Sequence, residues 1–248
     1  MIRPSKILWV FPKPEADADW TNKIPSKSVQ RLARKTKSLL QQAGISIDVV
    51  PLTESLYQEW HAYYAKTMLS QDHEVLAAPE WFIERRMELP PIWLMDFRKN
   101  GERVGASIIS GRSNGVFSHH YKASDRLLIP GPDNTSLGGL MELYFLDYAF
   151  SQSPRQVNSG RSRNAFGFYN TLGYLAAKLR MGYIPELDRS HPWDDEFLRK
   201  SEQTPTIWFV ERENKIPIAW IFPTIGVLSG ELKTYFDRQR IYYELAKL

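Results

Sequence analysis

Residues 92–124, IWLMDFRKNGERVGASIISGRSNGVFSHHYKAS, carry the pattern that decides the fold class. Three runs rich in β-branched and aromatic residues alternate with two Asn-Gly pairs, at 100–101 and 114–115. Asn-Gly favours tight hairpin turns, because both central positions of such a turn need a positive φ. The three runs cover residues 92–98, 103–112 and 116–124. The stretch therefore predicts a meander of three antiparallel strands.

Helix and strand patterns lie on both sides of this meander. Before it, Gly44 ends a basic helix, and Thr53 can cap an amphipathic helix. After it, Ser136 can cap a helix that stops before Pro154. The other predicted strands cover residues 7–11, 45–52, 155–159 and 206–212, and the other predicted helices cover 79–88, 164–176 and 231–248. This order predicts a mixed α+β fold with a largely antiparallel central sheet flanked by helices.

Three segments are predicted along the chain. Residues 1–26 form an N-terminal strand and loop, residues 27–185 form the main domain, and residues 186–248 form an extension that packs on the same domain. The extension begins with a polar stretch that we expect to be a solvated loop or helix. Its acidic cluster consists of Asp194, Asp195 and Glu196.

Composition excludes several functional classes. The chain of 248 residues has no cysteine, which removes disulfide scaffolds, thiol nucleophiles and cysteine-ligated zinc. No apolar run is long enough to span a membrane, and the N-terminal apolar run is too short for a signal peptide, so we expect a cytoplasmic protein. The net charge of +4 suits a phosphate-bearing ligand without reaching the density of a nucleic-acid module.

The histidines do not predict a metal site. Strand alternation sends the side chains of His119 and His120 to opposite faces of the sheet. The other three histidines are far apart in the sequence and lack carboxylates at metal-ligand spacing. They are His61, His73 and His191.

A second informative stretch is 157–185, VNSGRSRNAFGFYNTLGYLAAKLRMGYIP, in which four glycines fall at close spacing. Glycines allow the backbone to approach another backbone or a ligand closely. Arg161 and Arg163 follow the predicted strand end at residue 159 and could bind a phosphate or a carboxylate. They could equally be surface arginines that contribute little energy. Lys178 lies among apolar residues, where it either extends to water or points into a cleft.

The order of the predicted elements resembles the Gcn5-related N-acyltransferase (GNAT) fold. Three segments sharpen this resemblance toward the FemABX-like transferases. They are the basic helix with its glycine and following strand (31–52, RLARKTKSLLQQAGISIDVVPL), the meander ending in Ala123-Ser124-Asp125, and the late segment 157–183 with its glycine, short helix, lysine and glycine. The resemblance covers residues 27–185, so the main domain is identified as GNAT-like.

The resemblance implies an activity. Members of the group join an acyl or aminoacyl group to an amine, and the classical members take it from aminoacyl-tRNA. The lysine of their late motif matches Lys178, which implies that Lys178 steadies charge in the transition state. Amide formation by direct attack also requires that the amine be positioned and lose a proton. We expect Asp125 to position the acceptor amine and Glu142 to take its proton.

The activated donor must also be anchored. Ser136, Gly138 and Gly139 open a helix whose free backbone N–H groups and positive dipole end can hold a phosphate or pyrophosphate. The alternative for these residues is ordinary helix capping and close packing. With Arg161 and Arg163 they form the candidate donor-binding set.

The sequence therefore predicts an N-acyltransferase that forms an amide between an activated donor and an amine, with no cofactor beyond the co-substrate. Acyl-coenzyme A and aminoacyl-tRNA both remain open as donor, so tRNA is a possible partner, and the acceptor is a small-molecule or peptide amine. Ala177 and Asn158 depart from the family pattern. They motivate the alternative of a non-catalytic GNAT-like module that binds a ligand or partner, and an RNA-binding protein is a third, weaker possibility.

Overall fold

A computed structural model describes residues 4–15, 18–87, 91–130, 135–192, 206–211, 217–221 and 229–245. The strands are β1 (Pro4–Phe11), β2 (Ile45–Pro51), β3 (Ile92–Lys99), β4 (Glu102–Gly111), β5 (Val116–Ser124), β6 (Leu128–Ile129), β7 (Thr135–Ser136), β8 (Gln156–Arg163), β9 (Ile184–Pro192), β10 (Ile207–Glu211), β11 (Pro217–Ile221) and β12 (Tyr242–Leu245). The helices are α1 (Lys27–Gln42), α2 (Glu54–Ser70), α3 (Trp81–Arg85), α4 (Leu137–Ser151), α5 (Leu172–Arg180) and α6 (Gly230–Arg238), with a 3-10 turn at Trp20–Lys23.

The chain divides into two compact units. Unit 1 comprises Met1–Gln30 and Asn158–Leu248, and unit 2 comprises Arg31–Val157. Each unit is described separately below. The three segments predicted from the sequence remain a prediction.

Unit 2 contains strands β2, β3, β4 and β5, in that order and antiparallel to their neighbours. The predicted Asn-Gly turn between β3 and β4 is present, with positive φ of 52° at Asn100 and 84° at Gly101. One face of these strands packs on α2 and α3 through a core that includes Tyr57, Trp60 and Ile108. The other face packs on α4, where Gly105 leaves room for the Met141 side chain.

A β-bulge in β5 separates the two histidines of that strand. Ile108 lies opposite Tyr121 and Ile109 lies opposite His119, so His120 is the extra residue. His119 contacts Phe145 of α4 with ring centroids 4.7 Å apart, whereas His120 contacts Trp81 of α3 at 5.2 Å. The two side chains therefore lie on opposite faces of the sheet, as the alternation predicted.

Unit 1 holds most of β8, together with β1 and β9, in the order β8, β1, β9, and β1 is antiparallel to β9. A second, three-stranded sheet pairs β10 antiparallel with β11 and β11 parallel with β12. The core of the unit contains Trp9, Phe166 and Phe209, whose rings meet edge to face. Asn164 is buried among them, and its amide nitrogen donates to the carbonyls of Pro4 and Phe209.

The mixed fold with a largely antiparallel sheet and flanking helices is confirmed, and so are the caps at Thr53 and Ser136. The helix predicted over 164–176 is wrong in its start, because residues 164–171 form hydrogen-bonded turns and Thr171 caps α5 instead. The helix predicted over 231–248 ends at Arg238 and is followed by β12. The acidic cluster of residues 194–196 lies outside the described residues.

Across the described ranges, no helix combines the length and the apolar character needed to cross a lipid bilayer.

Candidate functional site

Lys178 lies in the last turn of α5, a helix that begins where the Thr171 hydroxyl accepts a hydrogen bond from the Tyr174 amide. Apolar side chains of this helix, such as Leu175 and Leu179, are completely buried. Because Lys178 lies three residues after Leu175, it shares that buried face of the helix. The lysine is only 8% exposed, so its long side chain turns inward.

The Lys178 ammonium has well-defined neighbours within unit 1. Its Nζ donates to the Ser159 hydroxyl at 2.5 Å. The same Nζ lies 4.7 Å from the ring centroid of Tyr183 and 5.7 Å from that of Tyr174. A hydroxyl and two ring faces both stabilise an ammonium. Such a preorganised cation, partly shielded from water, can stabilise negative charge that develops on a substrate oxygen.

The strand that carries Ser159 is locally adapted to this arrangement. Gly160 has a positive φ of 69°, in the left-handed region that favours glycine. The Asn158 side chain, which is nearly fully buried, accepts from the Gly160 amide at 3.4 Å. Asn158, where the family pattern has an acidic residue, therefore supports the backbone turn next to Ser159.

Arg161 and Arg163 were expected after the end of a strand, but both lie within β8, which continues to Arg163. The Ser162 hydroxyl between them accepts from the Trp9 indole, so alternation directs both arginines to the exposed side. Arg161 pairs with Asp188 at 2.7 Å. The guanidinium of Arg163 lies 4.6 Å from the ring centroid of Tyr169. Their role in donor binding remains a prediction.

Glu142, the predicted proton acceptor, is 2% exposed on α4 in unit 2. Its Oε2 accepts from the Lys122 ammonium at 2.9 Å and lies 3.3 Å from Nδ1 of His119. Lys122 also donates to the carbonyl of Gly138 at 3.0 Å. The carboxylate is thus part of a cluster of charged and polar groups that joins α4 to β5.

Asp125, the predicted amine-positioning residue, follows β5 directly and is exposed. Its carboxylate accepts from the hydroxyl of Tyr63 at 3.1 Å. Burial, and then the charge of Asp125, raises the pKa of Tyr63 above its ordinary value. The guanidinium of Arg103 lies 5.9 Å from the Tyr63 ring and binds the buried Asp96 carboxylate at 2.7 Å. Asp125 is therefore an accessible carboxylate that a neutral hydroxyl orients.

Helix α4 begins with an ordinary N-cap at Ser136. The Ser136 hydroxyl accepts from the Gly139 amide at 3.2 Å. A Cβ at Gly138 would lie 3.0 Å from the Ser124 hydroxyl, so glycine permits close packing of the helix on β5. The alternative of capping and packing is thus seen in the structure, while donor binding by these three residues stays a prediction.

Several neighbours of the predicted residues were missed by sequence reasoning. Ser159 was predicted only as the end of a strand, and no function was predicted for Tyr183, Lys122 or Tyr63. Strand alternation could have placed Lys122 with His119 on the face toward α4 only if the bulge at His120 had been anticipated. Within the ranges that the structure describes, no group of three His, Asp or Glu side chains could hold a metal ion.

The predicted residues divide between the two units. Lys178, Arg161 and Arg163 belong to unit 1. The other five belong to unit 2: Asp125, Glu142, Ser136, Gly138 and Gly139.

Comparison with known proteins gives structural matches. No family model and no curated protein sequence matches the chain. Among solved structures, FemX is similar with a TM-score of 0.54 and 9% identity, over 80% of this chain and 64% of FemX.

Two further solved structures are similar at lower scores. L-PGS from Bacillus licheniformis gives a TM-score of 0.43 and 9% identity, over 83% of this chain and 59% of L-PGS. A GCN5-related N-acetyltransferase from Kribbella flavida gives a TM-score of 0.36 and 16% identity, over 75% of this chain and 55% of that protein. The chain spans about three fifths of the length of the first solved structures that it matches. The match with FemX shows that the chain shares the fold of the FemX structure, as the resemblance of its sequence to FemABX-like transferases implied.

Proposed function

We propose that the chain is an N-acyltransferase, which forms an amide between an activated acyl or aminoacyl donor and an amine acceptor. The observation that carries this proposal is the ammonium of Lys178, which is buried against the Ser159 hydroxyl and the Tyr183 ring. The fold shared with FemX makes the proposal consistent but does not by itself assign a reaction.

The proposed reaction is a direct attack. The amine nitrogen forms a bond to the donor carbonyl carbon, and the carbonyl oxygen becomes an oxyanion in the tetrahedral intermediate. The Lys178 ammonium would stabilise that oxyanion, because a fixed cation needs no reorganisation when the charge develops. Collapse of the intermediate breaks the carbon–sulfur bond of a thioester or the carbon–oxygen bond of an aminoacyl ester. The leaving group takes up a proton, and the former amine loses one.

The remaining roles are assigned residue by residue. Asp125 would hold the protonated acceptor amine through its exposed carboxylate, which the Tyr63 hydroxyl orients. Glu142 would take up the amine proton. In its present contacts Glu142 binds Lys122, so we expect its substitution to affect both stability and turnover.

Two donor classes fit the proposal, and an assay can separate them. The full chain is incubated with a mixture of amines and either charged tRNA or a panel of acyl-coenzyme A thioesters, and the amide product is identified by mass spectrometry. Use of tRNA predicts a steep loss of donor consumption as salt rises, because protein–phosphate contacts release counterions. A thioester donor predicts a much weaker salt dependence.

Amide formation from either donor supports the proposal. If neither donor is consumed while a partner or acyl ligand binds, the chain is instead a non-catalytic binding module. If donor consumption were unchanged when Lys178 is replaced by alanine, the chain would still be a catalyst, but Lys178 would have no role in the reaction.

A further inference from the structure

The loop that precedes α5 displays aromatic rings beside a cation. We call residues 164–171, NAFGFYNT, the aromatic loop. Tyr169 in this loop is 47% exposed, and its ring meets the Phe168 ring edge to face with centroids 4.8 Å apart. The guanidinium of Arg163 lies 4.6 Å from the Tyr169 ring centroid. The exposed part of this ring, with a cation beside it, offers an accessible aromatic surface to a ligand.

The aromatic loop is held by its own hydrogen bonds. The amides of Tyr169 and Asn170 both donate to the carbonyl of Ala165, at 3.0 Å and 3.1 Å. The Gly167 amide donates to the Asn170 carbonyl at 2.6 Å, and the Asn170 side chain donates to the carbonyl of Arg163. Gly167 adopts a positive φ of 101°, which glycine accommodates without steric cost. The exposed ring is therefore presented on a backbone of defined conformation.

The base of the loop is fixed in the core of unit 1. The buried Asn164 side chain donates to the carbonyls of Pro4 and Phe209 and accepts from the Phe209 amide. Phe166 is completely buried, and its backbone pairs with that of Ile207 in both directions. An exposed aromatic side chain on a loop anchored this firmly is preorganised for binding, because little conformational entropy remains to be lost.

The chemistry of the exposed surface favours a nucleotide. Aromatic side chains provide a flat face on which any nucleobase can stack, and an arginine beside the ring adds a contact for phosphate. The structure therefore leads us to propose that Tyr169 and Arg163 form a subsite for the adenosine phosphate portion of the acyl donor. This inference rests on the proposed function and adds a donor-binding subsite to it. Coenzyme A and the 3′ end of tRNA both carry adenosine linked to phosphate, so the subsite suits either donor.

The position of the loop along the chain agrees with this assignment. The aromatic loop ends at Thr171, the cap of α5, and Lys178 lies seven residues later, which corresponds to about 10 Å of helix. Tyr174 lies between them: its ring is stacked on that of Phe166 at 6.4 Å and is 5.7 Å from the Lys178 ammonium. Nucleotide binding and the proposed oxyanion contact would thus lie within one continuous part of unit 1.

The test measures nucleotide binding without any reaction. Coenzyme A and the trinucleotide CCA, neither carrying an acyl group, are titrated separately against the full chain by calorimetry. We expect Tyr169→Ala to weaken binding by about tenfold or more, as removal of a base-stacking ring does. Tyr169→Phe keeps the ring and should bind as the unaltered chain does. The matched control is Tyr242→Ala, which removes another exposed tyrosine of unit 1.

Each outcome decides the inference. Loss of coenzyme A binding on Tyr169→Ala supports a thioester subsite, and loss of CCA binding supports a tRNA subsite. If neither coenzyme A nor CCA binds, the inference is overturned. It is also overturned if the unaltered chain and Tyr169→Ala bind equally well. A short acyl thioester without adenosine separates the inference from the proposed function. Amide formation from that thioester with no nucleotide binding rejects the subsite alone, whereas nucleotide binding without amide formation from any donor rejects the acyltransferase.

Discussion

The two units each bury a charged side chain, but they stabilise it in different ways. In unit 2, Glu142 is 2% exposed, and its described contacts include the Lys122 ammonium at 2.9 Å and the His119 ring at 3.3 Å. In unit 1, Lys178 is 8% exposed, and its described contacts are the Ser159 hydroxyl and tyrosine rings. An opposite charge compensates the charge of Glu142 directly, whereas the hydroxyl and the ring faces beside Lys178 stabilise an ammonium through their dipoles and quadrupoles.

The contacts of Glu142 give it a structural role in addition to the proposed proton transfer. A buried ion pair holds two elements together, here α4 and β5, and removal of one partner leaves the other charge uncompensated. The hydroxyl and ring contacts hold the Lys178 ammonium in a fixed position, and a fixed cation can act on negative charge that develops in a substrate. Four predictions, from the largest expected effect to the smallest, can break or sharpen this comparison.

Replacing Lys178 with alanine should lower the rate of amide formation by about a hundredfold to a thousandfold, as loss of an oxyanion stabiliser does. The fold should persist, which circular dichroism and thermal unfolding can check. The matched control is Lys233→Ala, which removes an exposed lysine of α6 in the same unit. A folded Lys178→Ala variant with a near-normal rate would remove Lys178 from the mechanism.

Replacing Lys122 with methionine should lower the free energy of unfolding by about 2 to 3 kcal/mol, because Glu142 would lose its ammonium partner. The expected loss of stability is moderate, because the Lys122 side chain is 30% exposed and water can partly compensate the Glu142 carboxylate. Denaturant unfolding measures this, and a second variant, Lys122→Met with Glu142→Gln, should recover most of the loss. Lys178→Met in unit 1 removes the hydrogen bond to Ser159, a loss of about 1 kcal/mol. A Lys122→Met variant as stable as the unaltered chain would contradict the stabilising role of the ion pair in unit 2.

Glycine substitution compares the rigidity of packing in the two units. At Gly182 in unit 1, φ is 96°, and a Cβ would lie 3.0 Å from the backbone carbonyl oxygen of Lys23. Gly182→Ala should therefore destabilise the protein by about 2 kcal/mol, the order of cost of a strained backbone conformation. At Gly105 in unit 2, the nearest atom is Sδ of Met141 at 2.6 Å, the flexible end of a side chain. Gly105→Ala should lower the free energy of unfolding by about half as much as Gly182→Ala. Thermal unfolding measures both variants, and a lower melting temperature for Gly105→Ala than for Gly182→Ala would contradict the prediction.

The smallest effect concerns alkaline pH. Burial raises the pKa of Tyr63 above its ordinary value of 10.0, and the charge of Asp125 adds to the shift. Between the pKa of the unfolded chain and the raised pKa of the folded protein, the unfolded chain has lost the Tyr63 proton while the folded protein keeps it. The free energy of unfolding therefore falls as pH rises through this range. Tyr63→Phe should reduce this dependence by about 1 kcal/mol per pH unit. Urea unfolding between about pH 9 and 11 measures the slope.

The alkaline experiment also distinguishes the units. Among the described residues, six tyrosines of unit 2 have a pKa that is raised mainly by burial. In the described part of unit 1, Tyr235 has a pKa raised for the same reason. The six are Tyr57, Tyr63, Tyr64, Tyr121, Tyr144 and Tyr148. Hydrogen exchange should therefore show that unit 2 loosens first at high pH. The matched control variant is Tyr242→Phe, at a tyrosine that is 61% exposed.

Sequence reasoning predicted the local structure well where short-range signals are strong. The hairpin at Asn100-Gly101 and the helix caps at Thr53 and Ser136 all formed as expected. Reasoning failed at residues 164–171, where an apolar and aromatic composition suggested a helix. There the side chain of Asn164 is engaged by the backbone of Pro4 and Phe209, contacts 160 and 45 residues away in the sequence. Such long-range contacts override a local preference that is worth only a fraction of a kcal/mol per residue.

The candidate site was predictable only in part. Resemblance to a family identified Lys178, and its place near the end of a short helix agrees with that identification. Nothing in the local sequence indicated that Ser159, 19 residues earlier, would accept its hydrogen bond, or that Lys122 would bind Glu142 from 20 residues away. The strand continuing through Arg163 likewise depended on pairing partners elsewhere in the chain.

The sequence by itself determined the mixed α and β class, the meander and the helix caps at Thr53 and Ser136, because turn geometry, capping and the period of apolar residues act over a few neighbouring residues. Only the tertiary structure decided that one buried charge meets an opposite charge and the other meets a hydroxyl and tyrosine rings. It also decided that Tyr169 is displayed beside Arg163 rather than buried in a helix. The physical reason is that strand register, a single bulged residue and long-range packing set which side chains meet, and these depend on the whole chain at once.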